Sequence, residues 1–145
     1  MSRLMGIDYG SVRIGVSLSD ETNTIAFGKF ALDNNEKSFE KILNFVIDNK
    51  VTKIIIGYPL NLKGERTQQT IKVEEFEEKL KSFLKNDLGS ESVEVVRWDE
   101  RFTSKIAQES MIHSGMKKKH RRDKSNIDII SSAILLQNYL DSSMN

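Results

Sequence analysis

Residues 4–19 read LMGIDYGSVRIGVSLS, and this stretch decides the fold. Leu4–Asp8 and Val12–Ser19 carry the aliphatic residues of two strands, with the turn-prone Tyr9-Gly10-Ser11 between them. So short a link joins antiparallel neighbours, because a parallel crossover needs about a dozen residues. Thr24–Leu32 follows the polar Asp20-Glu21-Thr22-Asn23. The chain is therefore expected to open as a three-stranded antiparallel meander.

Downstream, the hydrophobic period changes from two to about 3.6 residues. Phe39, Ile42, Leu43 and Val46 predict a helix within Glu36–Lys50, and the unbroken TKIIIG of Thr52–Gly57 predicts a buried parallel strand. Val73, Phe76, Leu80, Phe83 and Leu84 mark a second amphipathic helix, which leads into a strand over Ser92–Trp98. Thr103 is a candidate N-cap for a short helix ending at Gly115, and Ser125 for a last helix reaching about Leu140. The order βββαβαβαα implies an α/β domain over residues 1–145. Its mixed five-stranded sheet has three antiparallel N-terminal strands, then two parallel ones, with helices on its faces. No strand leads into a glycine-rich dinucleotide turn, which argues against a Rossmann reading.

Composition narrows the chemistry. The 145 residues suit one compact domain, and 38% hydrophobic with 30% charged residues suits a packed core. The absence of cysteine excludes disulfides and thiolate chemistry. A formal net charge of +1 leaves attraction to nucleic acid to local basic clusters. No apolar run is long enough to span a membrane, and the cytoplasm is the expected location.

Three acids stand out. Asp8 ends the first strand, among Gly6, Gly10 and Gly15, which are expected to leave room for a phosphate or metal. Asp99 and Glu100 follow the last strand, where open α/β sheets place their sites, and alternation does not decide which of the two faces inward. Asp128 interrupts the apolar start of the last helix, where a carboxylate either answers the helix dipole or serves a site. If the three converge, their repulsion would be relieved by one or two Mg²⁺ or Mn²⁺ ions, which take oxygen ligands. Neither His113 nor His120 has a histidine partner at metal spacing, so both are read as surface residues and zinc is not expected. Lys117, Lys118, Lys119, His120, Arg121 and Arg122 form a basic stretch that is either a solvated loop or a grip on a phosphate backbone. Tyr9 and Trp98 offer stacking on bases or ordinary packing.

The strings MGIDYGSVRIGVSLSD, IIIGYPLNLKGERT, DERFTSKIAQ and IDIISSAILLQNYLD occur in that order across nearly the whole chain. Together they resemble the YqgF family, Holliday-junction-resolvase-like proteins also described as pre-16S rRNA nucleases. The resemblance implies an RNase H-like fold and places an acidic catalytic and metal-binding triad on Asp8, Glu100 and Asp128. It also implies that Arg13 and Arg101 lie near the site as phosphate ligands, and that Gly57 and Pro59 belong to a loop lining the cleft. Ser131 and Ser132 depart from the pair of alanines usual there.

The expectation is a divalent-metal-dependent nuclease that processes the 5′ end of precursor 16S ribosomal RNA in ribosome biogenesis. Nucleic acid would be its partner and a monomer or weak dimer its state. The competing readings are a resolvase of branched DNA and a non-catalytic RNA-binding assembly factor. Sugar-kinase and actin-like ATPases share the Asp-Gly hairpin but need two lobes, more than 145 residues supply.

Overall fold

The computed structural model describes residues 2–89, 93–102 and 124–143. Its strands are β1 (Arg3–Tyr9), β2 (Arg13–Ser19), β3 (Ala26–Asp33), β4 (Val51–Tyr58) and β5 (Glu94–Asp99). Its helices are α1 (Lys37–Asp48), α2 (Gln68–Leu88) and α3 (Lys124–Ser143), with a 3-10 turn over Glu100–Phe102. The strands form one sheet in the order β3-β2-β1-β4-β5. The pairs β1–β2 and β2–β3 are antiparallel, whereas β1–β4 and β4–β5 are parallel. The mixed five-stranded sheet is present as expected, with strand ends displaced by a residue or two, where ladders fray.

The hydrophobic pattern explains why β4 docks against β1. Ile54 and Ile56 join Met5, Ile7, Ile14 and Val16 in a core that also takes Ile42 and Val46 of α1 and Val73, Phe76, Leu80 and Leu84 of α2. Ile55 turns the other way, into a second cluster with Leu136 and Leu140 of α3. A strand buried on both faces gains from an unbroken apolar run, and that is how IIIG reads. The Thr67 side chain caps α2 in a reciprocal box with Thr70. The Tyr9 ring lies 4.8 Å from Phe76, so Tyr9 belongs to this core, and packing accounts for it without base stacking.

On the opposite face α3 lies against β1, β2 and β3. It approaches so closely because one glycine on each of those strands lacks a side chain at the contact. A Cβ at Gly6 would come within 3.0 Å of the Leu136 Cβ, one at Gly15 within 2.1 Å of the Asp128 carbonyl oxygen, and one at Gly28 within 2.4 Å of the Ile129 Cγ2. Gly6 and Gly15 therefore make room for the protein's own helix, and the expectation that they admit a phosphate or metal is corrected. Between them the buried Ser17 hydroxyl donates to the Ser132 carbonyl at 2.8 Å, and the Ser132 hydroxyl donates to the Gly6 carbonyl at 3.0 Å. The Ser132 carbonyl would accept from Ser17 with alanine there too, but the Ser132 hydroxyl, which also donates to the Ser17 hydroxyl at 3.0 Å, fastens α3 to two strands as alanine could not; a net hydrogen bond of this kind contributes about 1 kcal/mol.

The expected helix from Thr103 to Gly115, His113, His120 and the basic stretch from Lys117 to Arg122 lie outside the described residues. Among the described residues no helix is long and apolar enough to cross a membrane.

Candidate functional site

Sheet register builds the site. Asp8 pairs across the ladder with Gly15 of β2, and the register that sets Ile7 beside Ile56 carries Asp8 to the level of Gly57 on β4. Gly57 in turn pairs with Trp98 of β5. Alternation along β1 points Met5 and Ile7 into the α1–α2 core and leaves Asp8 on the α3 face, flanked by glycines on both neighbouring strands.

α3 brings in Asp128. Because its backbone rests on Gly15, the Asp128 carbonyl sits directly above the strand beside Asp8. Asp128 is the fifth residue of the helix as described, past the first turn. The dipole explanation for an acid at this point is correspondingly weak, since that field fades beyond the first turn. The Asp128 side chain accepts a hydrogen bond from the Arg13 Nε at 2.9 Å.

β5 and the turn after it give Asp99 and Glu100 different surroundings. The Asp99 carboxylate accepts from the Arg101 backbone N–H at 2.9 Å and is gripped by the Arg101 guanidinium, with Nη2 at 2.6 Å. These bonds hold the Asp99 carboxyl below its usual range. The Glu100 side chain instead lies over Gly57, where a Cβ would stand 2.3 Å from the Glu100 Oε1. Burial first and the charge of Asp99 second push the Glu100 carboxyl up.

The three acids meet in one electrostatic field. The Asp8 carboxyl is pushed up to about 7, by burial first, then by the charge of Glu100, then by that of Asp128. A divalent ion is the natural relief for such a group, and all-oxygen donors suit Mg²⁺ or Mn²⁺. Donor chemistry fits, yet among the described residues no three His, Cys, Asp or Glu side chains are gathered closely enough to hold a metal ion. Among the described residues, the Arg13 guanidinium on Asp128 is a cation that stands beside these acids.

The rim is a braced loop. Leu60 and Arg66 form a bridge, and the Asn61 Oδ1 accepts from the backbone N–H of Lys63 and Glu65. Gly64, at φ +82°, faces the Arg101 guanidinium, whose Nη1 would lie 3.0 Å from a Cβ there. The Thr70 hydroxyl donates to the Pro59 carbonyl. Behind the loop, Glu74 of α2 accepts from the Tyr58 hydroxyl and from Arg66, and the buried Glu77 accepts from the Arg97 Nε at 2.6 Å. Sequence reading missed this network. Only the Glu77–Lys81 pair, at helical spacing, left a signal of it. Trp98 packs edge-on against Tyr139, with ring centroids 5.7 Å apart, so its described contact is packing.

Comparison with known proteins places the chain. The RuvX family, described as Holliday junction resolvase, matches residues 2–142. A protein of Sulfurihydrogenibium sp. named "Putative pre-16S rRNA nuclease" is 41% identical over 141 residues, covering 97% of this chain and 91% of that protein. One of the same name from Flavobacterium psychrophilum is 41% identical over 140 residues, covering 97% of each. In structure, the chain is similar to Thermus thermophilus RuvC in complex with Holliday junction substrate, with a TM-score of 0.61 at 13% identity, covering 100% of this chain and 97% of that one. It is also similar to the yeast mitochondrial Holliday junction resolvase, with a TM-score of 0.59 at 12% identity, covering 96% and 78%. The fold is RNase H-like.

Proposed function

Since the chain belongs to the RuvX family, we propose that it is a nuclease that hydrolyses nucleic-acid phosphodiesters with the help of divalent ions. We take its substrate to be precursor 16S ribosomal RNA, following the names of its relatives, with the 5′ end as the cut region that the family resemblance implies and the cytoplasm as the place of action. The observation that carries this reading is the Asp8 carboxyl pushed up to about 7, by burial and by the charges of Glu100 and Asp128. An acid so placed is poorly suited to structure and well suited to receiving a cation.

In this reading Asp8, Glu100 and Asp128 hold Mg²⁺ or Mn²⁺. Bound there, such ions supply a nucleophilic water at neutral pH and offset charge on the leaving oxygen. The chain's own residues do the positioning. Gly57 leaves the space over which Glu100 lies, and Gly15 sets the height of α3 and so of Asp128. Arg13 holds Asp128, Arg101 stands at the rim beside Gly64, and each carries a guanidinium suited to a phosphate. Lys117, Lys118, Lys119, Arg121 and Arg122 supply the sequence-independent grip on the backbone.

The test is cleavage of precursor 16S ribosomal RNA and of a four-way DNA junction with Mg²⁺ or Mn²⁺, alongside Asp8→Asn. Ion-dependent cutting of the RNA that Asp8→Asn abolishes is the expected result. Cutting by Asp8→Asn at the wild-type rate rejects the site. The family's description favours a second reading, resolution of branched DNA, and preferential paired cuts in the junction would establish it. Binding without ion-dependent cutting of either polymer would instead identify a non-catalytic assembly factor.

A further inference from the structure

Arg13 is engaged in an unusual place for a phosphate ligand. It opens β2, two residues before the glycine on which α3 rests, and its Nε donates to the Asp128 Oδ2 at 2.9 Å. The side chains of Arg13 and Asp128 are 27% and 30% exposed, so the pair is reachable from solvent. Among the described residues the terminal nitrogens of Arg13 have no hydrogen-bond partner, which leaves the outer edge of its fork open. The acids meanwhile are not gathered to hold a metal ion among the described residues, although Asp8 feels both Glu100 and Asp128.

We propose that Arg13 is a displaceable counter-ion of Asp128: its guanidinium occupies that carboxylate while the protein is free of divalent ions and yields it when an ion is bound. The physical basis is charge and geometry. Carboxylates that share one electrostatic field, as Asp8 does with Glu100 and Asp128, call for a positive charge, and a guanidinium on a strand end supplies one at Asp128. An arginine does not lose its proton at any working pH, so an ion that takes Asp128 has to displace a charged guanidinium. Released from Asp128, the fork stays anchored on β2 at the edge of the site, where a phosphodiester oxygen is its natural next partner. Arg13 would thus couple ion binding to the readiness of its guanidinium for substrate. This inference rests on the metal-dependent reading of the site.

The test uses the full chain and Mg²⁺ or Mn²⁺ alone, with no nucleic acid. Mn²⁺ affinity is measured by calorimetry for the wild type, Arg13→Met, Arg13→Lys and Asp8→Asn, each first checked for folding by circular dichroism. Removing a competitor worth no more than a solvent-exposed ion pair should tighten Mn²⁺ binding of Arg13→Met by about threefold to fivefold. Arg13→Lys, which keeps the charge but loses the fork, should lie between the two. In parallel, the arginine Nε–H resonances of the wild type are followed during Mg²⁺ titration. The Arg13 signal should move and exchange faster with water, while that of Arg101, bonded to Asp99, should stay. Unchanged or weaker Mn²⁺ binding in Arg13→Met, or an Arg13 signal unmoved at saturation, overturns the proposal while leaving the metal site intact. If the wild type binds neither ion, or binds it no better than Asp8→Asn, the underlying reading falls as well.

Discussion

Asp8 lies beside Gly15 and at the level of Gly57, and burial first, then the charges of Glu100 and Asp128, raise its carboxyl to about 7 from an ordinary value of 3.8. A folded carboxyl raised in this way keeps its proton where the unfolded chain has lost it. The stability this contributes is therefore complete below about pH 4 and is lost as pH rises to about 7. Without divalent ions, Asp8→Asn should match the wild type near pH 4 and exceed it near pH 7.5 by about 2 kcal/mol, after discounting for partial exposure. Urea denaturation in chelator across that range measures the difference, and Mg²⁺ should shrink it; a difference independent of pH would contradict the electrostatic account. Gly57→Ala poses a different question, because the atom its Cβ would strike is the flexible end of Glu100, 2.3 Å away. Stability should change by less than about 0.5 kcal/mol, whereas displacing Glu100 should cut cleavage by about a hundredfold. Thermal melting and single-turnover cleavage on the same preparation separate the two effects.

At the scale of elements, α3 matters most because it meets the sheet backbone to backbone. Gly15→Ala would drive a Cβ to 2.1 Å from the Asp128 carbonyl and 2.7 Å from its carbon, atoms that cannot swing aside. The helix must shift, at a cost of about 1–3 kcal/mol, and Asp128 moves with it. At Gly28 the nearest atom is the Ile129 Cγ2, a side-chain methyl, so Gly28→Ala should cost less and spare the site. Chemical denaturation of the two variants ranks them, and equal losses would contradict this picture of the contact. On the other face Glu77 illustrates how a buried charge is tolerated. Burial raises its carboxyl, but hydrogen bonds from Arg97 and Lys81 outweigh that and hold it below the usual value. That contribution to stability is present above the ordinary carboxylate pKa of 4.5 and is lost as pH falls through the lowered one.

For the whole molecule, a formal net charge of +1 means that any attraction to nucleic acid has to come from local clusters, and the stretch from Lys117 to Arg122 is the cluster proposed for that role. Replacing Lys117, Lys118 and Lys119 together by glutamine should flatten the dependence of log affinity on log salt by about 2 for a single-stranded RNA. Filter binding across a salt series reads the slope, and an unchanged slope would mean those lysines touch no phosphate. The order of the described strands and helices and the mixed sheet were legible in the residues, because hydrophobic period and turn chemistry are local properties that survive any tertiary arrangement. Asp8 and Asp128 stood out as candidates, while the residues left Asp99 and Glu100 open and only the family resemblance favoured Glu100. What only the tertiary structure decided concerns partners far apart in the chain. Examples are Glu100 over Gly57 with Asp99 held by Arg101, Gly15 making room for a helix more than a hundred residues away, Ser132 joined to Ser17, and Arg13 on Asp128. Periodicity says which face a side chain takes, but its neighbour across a face is set by sheet register and by how closely a helix can approach, and no local pattern encodes either.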